Sequence, residues 1–401
     1  MDIEAADRIA DDMRVPRKAA WSILLLLGAA DLLANLACEG ARSSIGPYLE
    51  TLGATGFIVG SVAGLGQCLR LVLRPVTSRL LERGRFHRPI TIAGYVVQML
   101  AVPLISQTGS WPNTAACVVL ERIGQGIRSA PRAALPARAS EAAFDGAFAK
   151  LGAFMGPVAV GILLAWQRDF RFAFASLAVP AAGAILLAAG ARLRSPEAAT
   201  VEPPKKLAGR ARYPRACWLY CGSASLFAFG MADFPLIAYH LSKAHIVSHP
   251  RIAVFYAVAL GAGGLGSLPI GRLLDRAGMT VLVPITVAVA AYGPLAFLGG
   301  YDLALIGTLL WGIGLGAHDT ATRVVLAKTV PHERLASAQN LFRIALGFAW
   351  LAGGAVLGAV YDVSVAGAAW LAVVALLLAA IPLWVGSRRA WIPVAARSVE
   401  G

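Results

Sequence analysis

From Val365 to Val385 the chain runs the thickness of a bilayer without one charged side chain. A soluble helix of that length needs a polar face, so such a run either spans a membrane or is buried on every side. It is the cleanest of a series. Apolar runs of about 20 residues recur along the whole sequence, separated by short stretches that hold Arg, Lys, Gly and Pro. Charged residues make up only 14% of the 401 and hydrophobic ones 58%. Soluble domains carry about 25% charge, so the composition excludes that class. The net charge of +14 does not point to nucleic acid, because the basic residues lie between the apolar runs.

A charged hexapeptide, Arg79-Leu80-Leu81-Glu82-Arg83-Gly84, returns 193 residues later as Arg272-Leu273-Leu274-Asp275-Arg276-Ala277-Gly278. Each copy joins two apolar runs, and a repeat at nearly half the chain length marks a duplicated unit. Spans are expected at about 19–41, 55–77, 89–107, 112–131, 147–166 and 172–191, then 216–241, 252–271, 280–299, 302–325, 336–360 and 365–386. The expected fold is an all-α membrane protein of twelve transmembrane helices in two six-helix pseudo-symmetric bundles. Its parts are an N-terminal segment 1–18, a first bundle 19–191, a Pro-, Lys- and Arg-rich linker 192–215, a second bundle 216–387 and a tail 388–401. Placing both termini in the cytoplasm puts 26 Lys and Arg there, Arg128 near the end of the fourth span among them, and five on the opposite side. That asymmetry predicts a multi-pass protein of a bacterial-type inner (cytoplasmic) membrane with both termini inside.

Charge within the spans is rare, and a charge at the bilayer centre costs a few kcal/mol unless it is paired or hydrated. Asp31, Asn35 and Glu39 recur every four residues, along one stripe of the first helix. A carboxylate in low dielectric holds a proton more readily, so it can bind and release one as hydration changes. Asp31, with Arg122 as its expected partner, and Asp233 are the leading proton-coupling residues, with Glu39 behind them. A static ion pair that fixes packing is the competing reading of Asp31. Asp233 and His240 stand seven apart on one face of the seventh span. His318, Asp319, Arg323 and Arg343 form another group, in which Asp319 and Arg343 are expected at similar depth as a gate or a structural pair. The candidate substrate contacts are Asn35, Gln125, His240, His318, Asp319, Asn340 and Arg343, although Asn340 and Gln339 equally suit a helix cap. Spans 3, 6, 9 and 12 carry no interior charge and are expected to face lipid. Five cysteines, an odd number with no C-x-x-C, imply neither a disulfide framework nor a metal site. No G-x-x-x-x-G-K-[ST] occurs, so nothing points to nucleotide-driven transport, and no cofactor is expected.

Gly271-Arg-Leu-Leu-Asp275-Arg276-Ala-Gly278 resembles the loop signature between helices 8 and 9 of the major facilitator superfamily. The first-half copy departs from it: Ser78 stands where glycine is usual, Glu82 replaces aspartate, and one residue before Gly84 is missing. Arg122-Ile-Gly-Gln125-Gly126 is similar to the family's R-x-x-Q-G motif, associated with proton coupling. Gly152-x-x-x-Gly156-Pro157-x-x-x-Gly161 resembles the antiporter motif of drug–proton exchangers, with Val160 where glycine is usual. The resemblance covers the chain from about Ala19 to Val385. It implies gating roles for Glu82, Arg83, Gly271, Asp275, Arg276 and Gly278, in contacts that break as two halves rock. Gly271 and Gly278 would permit a tight turn, and Asp275 would accept from the N–H groups of a neighbouring helix N-terminus. Gly152, Gly156 and Gly161 would let helix 5 pack closely across the interface between halves, and Pro157 would kink it.

The leading expectation is therefore a monomeric secondary transporter that exports a small organic compound in exchange for protons, by alternating access. The rival within transport is uptake or exchange of an organic anion, because Arg70, Arg74, Arg122, Arg323 and Arg343 make the spans basic and guanidinium groups bind carboxylates bidentately. A polytopic membrane enzyme would need paired acidic motifs or a Ser/His nucleophile system, and a non-transporting sensor would carry an added soluble domain. The sequence points to neither, and to no nucleic-acid partner.

Overall fold

The computed structural model describes residues 17–81, 87–133, 139–194, 213–331 and 334–388, and among these every regular element is a helix. The helices are α1 (Arg17–Thr51), α2 (Gly56–Leu81), α3 (His87–Leu104), α4 (Trp111–Ala133), α5 (Ala139–Gln167), α6 (Phe170–Ser176) and α7 (Ala178–Arg194). The second half holds α8 (Arg215–Gly230), α9 (Phe234–Lys243), α10 (His249–Ala277), α11 (Leu282–Ala290), α12 (Tyr292–Leu298), α13 (Tyr301–Thr329), α14 (Leu335–Val363) and α15 (Val365–Arg388). Eight stretches are long and apolar enough to cross a membrane, and one of them, His249–Leu298, takes in both the eighth and the ninth expected span. α1, α4 and α13 complete the expected set. They are the helices that carry Asp31, Glu121 with Arg122, and His318 with Asp319.

Three expected spans are broken rather than continuous. The sixth is α6 and α7, the seventh α8 and α9, and the ninth α11 and α12. Proline explains where: Pro235 and Pro294 cannot donate to the carbonyls four residues back, Met231 and Ala290, so the helices stop there. Between α8 and α9 the freed backbone groups find side chains instead. Tyr292 Oη donates to the Gly230 carbonyl and accepts from the Ala232 amide, both at 2.7 Å, and Trp311 Nε1 donates to the Ala232 carbonyl at 2.8 Å.

The described residues fall into two compact units. One is drawn from Met1–Gly53, Leu69–Lys205 and His249–Ala257, the other from Ala54–Cys68, Lys206–Ser248 and Val258–Gly401. Within the first, α1 packs on α5 and α7, and α3 on α4 and α7. Within the second, α8 packs on α14 and α15, α11 on α13 and α15, and α12 on the same two. The same pattern arises twice, as a duplicated sequence requires. α2 and α10 are each divided between the two units, at 68/69 and 257/258.

The packing is inside-out relative to a soluble protein. α15 buries Ala368, Ala369, Ala372, Ala375 and Ala379 and exposes Trp370, Val374, Leu377, Leu378, Ile381 and Trp384. In lipid the large apolar side chains need no cover, while small ones let backbones approach. Exposed large apolar side chains are not confined to spans 3, 6, 9 and 12, because α5 and α10 also expose Ile162, Trp166, Leu265 and Leu268.

Candidate functional site

In the first unit, α1, α3 and α4 enclose a chain of buried polar groups. Asp31 sits in α1 among Ala30, Ala34 and Ala37, and its Oδ1 accepts from Tyr95 Oη and from Arg128 Nη1, each at 2.8 Å. The Arg128 guanidinium also lies 4.7 Å from the centre of the Tyr95 ring, and its Nε donates to Gln98 Oε1. The same Gln98 amide donates through Nε2 to Glu121 Oε1 at 2.8 Å and to Cys38 Sγ at 3.0 Å. Glu121 Oε2 pairs with Arg122 Nε at 3.1 Å, and Arg122 Nη1 donates to Gln125 Oε1 at 2.9 Å. Asp31, Tyr95, Gln98, Glu121, Arg122 and Arg128 are each no more than 6% exposed. Two carboxylates face two guanidiniums, so the network is neutral as drawn. Burial at this depth is tolerable because every charge has a partner.

This corrects the expected partner of Asp31. Arg128 holds it, whereas Arg122 holds Glu121. Arg128, counted with the cytoplasmic residues, is buried within α4. On α4 the residues Glu121, Gln125 and Arg128 follow the helical 4-then-3 spacing, a signal legible in the sequence. Tyr95 and Gln98, three apart on α3, gave no such signal. Asn35 turns back on its own helix and donates to the Asp31 carbonyl at 2.8 Å. Glu39 pairs with Arg42 at 3.6 Å and accepts from Tyr256 Oη, at the start of α10.

The second unit repeats this frame with different chemistry. Ile123-Gly124-Gln125-Gly126-Ile127-Arg128 on α4 has a counterpart in Ile313-Gly314-Leu315-Gly316-Ala317-His318 on α13. The packing confirms the register: a β-carbon on Gly124 would meet Gln98 of α3, and one on Gly314 would meet Val289 of α11. His318 therefore stands where Arg128 stands. Its ring stacks on Phe227 at 3.5 Å, its Nε2 lies 3.3 Å from the Thr286 hydroxyl, and its Nδ1 is buried without a partner among the described residues. Where the first unit has a carboxylate on its leading helix, the second has an aromatic ring.

Residues 27–318 match the Major Facilitator Superfamily. The chain belongs to that family. It is 33% identical over 380 residues to the uncharacterised protein Rv2265 of Mycobacterium tuberculosis, covering 91% of this chain and 93% of the relative. It is 20% identical to the uncharacterised MFS-type transporter MJ1317 of Methanocaldococcus jannaschii, over 84% of this chain and 88% of that one. Among solved structures it resembles a POT family transporter in complex with 5-aminolevulinic acid, with a TM-score of 0.77, 12% identity, and 91% and 96% of the two chains covered. It also resembles the nucleoside transporter NupG, with a TM-score of 0.69, 14% identity, and 92% and 99% coverage. The protein is thus a multi-pass membrane transporter of the major facilitator superfamily, not an enzyme.

The remaining family-motif residues of this transporter take specific places. Gly271 lies inside α10 and makes no turn, so that expectation is corrected. Gly278, at φ +65°, ends the helix. Among the described residues Asp275 caps no helix N-terminus: its carboxylate accepts from Lys328 Nζ at 2.9 Å, with both side chains about half exposed or more. Arg276 is exposed, and Glu82 and Arg83 lie outside the described residues. Gly152 and Gly156 pack on the backbone of α1 at Leu32 and Leu36, within the first half rather than between halves, while Gly161 meets the Pro250 carbonyl. Pro157 lies within α5, which stays one helix. Asp233 is not on a helix face with His240. It is the N-cap of α9, accepting from the Phe234 amide at 2.8 Å and from Gln67 Nε2 at 3.2 Å. His240 Nδ1 lies 3.0 Å from the Tyr361 hydroxyl. Asp319 pairs at the surface with Arg323 at 3.0 Å instead of with Arg343, and Asn340 and Arg343 are half-buried on α14.

Proposed function

We propose that this transporter exports a small organic compound in exchange for protons by alternating access, and that Asp31 is the coupling carboxylate. The observation that carries the reading is the buried Asp31–Arg128 pair held by Tyr95 and Gln98. A proton on Asp31 removes the counter-charge of Arg128. The guanidinium then keeps its bond to Gln98, whose amide leads to Glu121, so the positive charge has a second carboxylate one residue away. Protonation thereby shifts Arg128 from α1 toward the α3–α4 side, and binding of a proton becomes a change in helix packing. Substrate binding that needs the Asp31–Arg128 pair intact would favour release of the proton, and by reciprocity a proton on Asp31 would weaken substrate binding, which is the linkage an antiporter needs. The glycines of the antiporter-like segment, Gly152 and Gly156, let α1 lie directly on α5, where such a shift is transmitted.

Export is preferred over organic-anion transport because Arg122 and Arg128 are both neutralised within their own unit. The reading keeps both termini in the cytoplasm, an inner-membrane location, a monomer and two six-helix bundles as moving bodies. Inside-out vesicles energised to an acid interior, with a pH-sensitive dye and a panel of lipophilic cations and neutral amphiphiles, test it. Compound-dependent proton release from the lumen is expected in the wild type and in Asp233→Asn and is expected to be absent in Asp31→Asn. Counterflow of an organic anion without proton movement would overturn the proposal.

A further inference from the structure

The first turn of α2 is capped by a residue more than 300 positions away. Asp362, at the end of α14, accepts from the Gly56 amide through Oδ1 at 2.7 Å and from the Phe57 amide through Oδ2 at 2.8 Å. α2 has no acidic residue in its own first turn. A carboxylate at a helix N-terminus satisfies donors that the helix cannot and faces the positive end of its dipole. Below this cap the two helices touch through backbone: Gly60 lies on the Gly354 carbonyl, Gly64 on Trp350, and Gly56 beside Gly358 and the Tyr361 ring. Just before α2, the Ala54 carbonyl accepts from Tyr239 Oη at 3.0 Å, and Lys243 Nζ donates to that same hydroxyl at 3.1 Å. All of these contacts lie within the second unit, yet the remainder of α2, from Leu69, packs in the first.

The duplicated position does not repeat the device. Asp169 stands 193 residues before Asp362, but its carboxylate accepts from the Arg171 amide of the helix that follows it, at 2.8 Å. The counterpart of Phe57 is Pro250, also 193 residues on, and proline has no N–H to offer. The cap is therefore built at one end of the duplicated pair and is impossible in the same form at the other.

We propose that Asp362 is a one-sided latch: its carboxylate holds the start of α2 against α14, and transport requires that it release once per cycle. The inference rests on the alternating-access reading, in which the first-half helix α2 and the second-half helix α14 must separate at this end. Because the contact is a carboxylate on two amides rather than an ion pair, Asn at this position keeps the shape while losing the charge and one acceptor.

The test uses the full chain in membrane vesicles, with the five native cysteines replaced by alanine and Ala63→Cys added as a buried reporter on α2. The readout is its labelling rate by a membrane-impermeant maleimide. Asp362→Ala is expected to raise that rate about fivefold, the factor of a typical lost N-cap, and Asp362→Asn, which keeps one acceptor, by less. Gly60→Val is the second variant, since its added atoms strike the Gly354 backbone and force the helices apart regardless of the cap. It too is expected to raise labelling. Faster labelling in Gly60→Val with unchanged rates in both Asp362 variants would overturn the latch while leaving alternating access intact. Unchanged labelling in all three would overturn the premise that this end opens.

Discussion

The Asp31–Arg128 pair makes a quantitative prediction that does not depend on knowing the substrate. Asp31 is 3% exposed and Arg128 6%, so solvent screens their interaction little. Removing one member of a buried pair leaves an uncompensated charge, at a cost of roughly 3–5 kcal/mol. Arg128→Met should reach that range, because the Asp31 carboxylate then loses its cation and keeps the Tyr95 hydroxyl among its partners. Asp31→Asn should cost less, because Arg128 retains Gln98 and, through it, the neighbourhood of Glu121. The double variant removes both charges, so it should be more stable than the sum of the single losses implies, by about 2–3 kcal/mol. Unfolding free energies of the four proteins in mixed micelles of detergent and SDS close the cycle. Additivity within about 0.5 kcal/mol would mean the two groups do not sense each other, and the network described above would be refuted.

Three further outcomes follow from the same geometry. Tyr95→Phe deletes one hydrogen bond to Asp31 without changing volume, and thermal unfolding should show a loss of about 1 kcal/mol. Gly156→Leu places a side chain on the α1 backbone and should cost about 1–3 kcal/mol by overpacking, read as loss of monodisperse protein on size-exclusion chromatography, whereas Gly146→Leu, whose β-carbon meets nothing among the described residues, should be tolerated. Exchanging Asp275 and Lys328 for each other reverses an exposed pair worth at most about 1 kcal/mol, so melting and transport should both be near wild type.

The helical frame was legible because lipid imposes a simple rule: long apolar runs, short basic loops and a repeated hexapeptide left no other architecture. Asp31 was legible for the same reason, as a carboxylate in the middle of such a run. Its partner was not. Arg128 lies near the cytoplasmic end of the fourth span, so it reads as one more cytoplasmic cation, although the structure buries it. The break at Gly230–Asp233 was signalled by Pro235, but periodicity alone carried the seventh span through it, which put Asp233 on a face instead of at a cap. Glycine spacing in α5 announced a close approach without saying to what, since a small face is equally open to any neighbour. Gly271 shows the limit of a motif: the loop signature is present, yet the helix runs through it to Ala277. The equivalence of Arg128 and His318 was in the sequence throughout, as Ile-Gly-x-Gly-x followed by a basic residue, and became visible once both glycines were seen to meet the equivalent neighbouring helix.

The most direct test of the account is the protonation of Asp31 itself, followed by infrared difference spectroscopy of the reconstituted protein between alkaline and acid buffer. A protonated-carboxyl band should appear on acidification in the wild type, persist in Asp233→Asn and be missing from Asp31→Asn. A band that survives in Asp31→Asn and disappears in Asp233→Asn would contradict it and move the coupling site to the second unit.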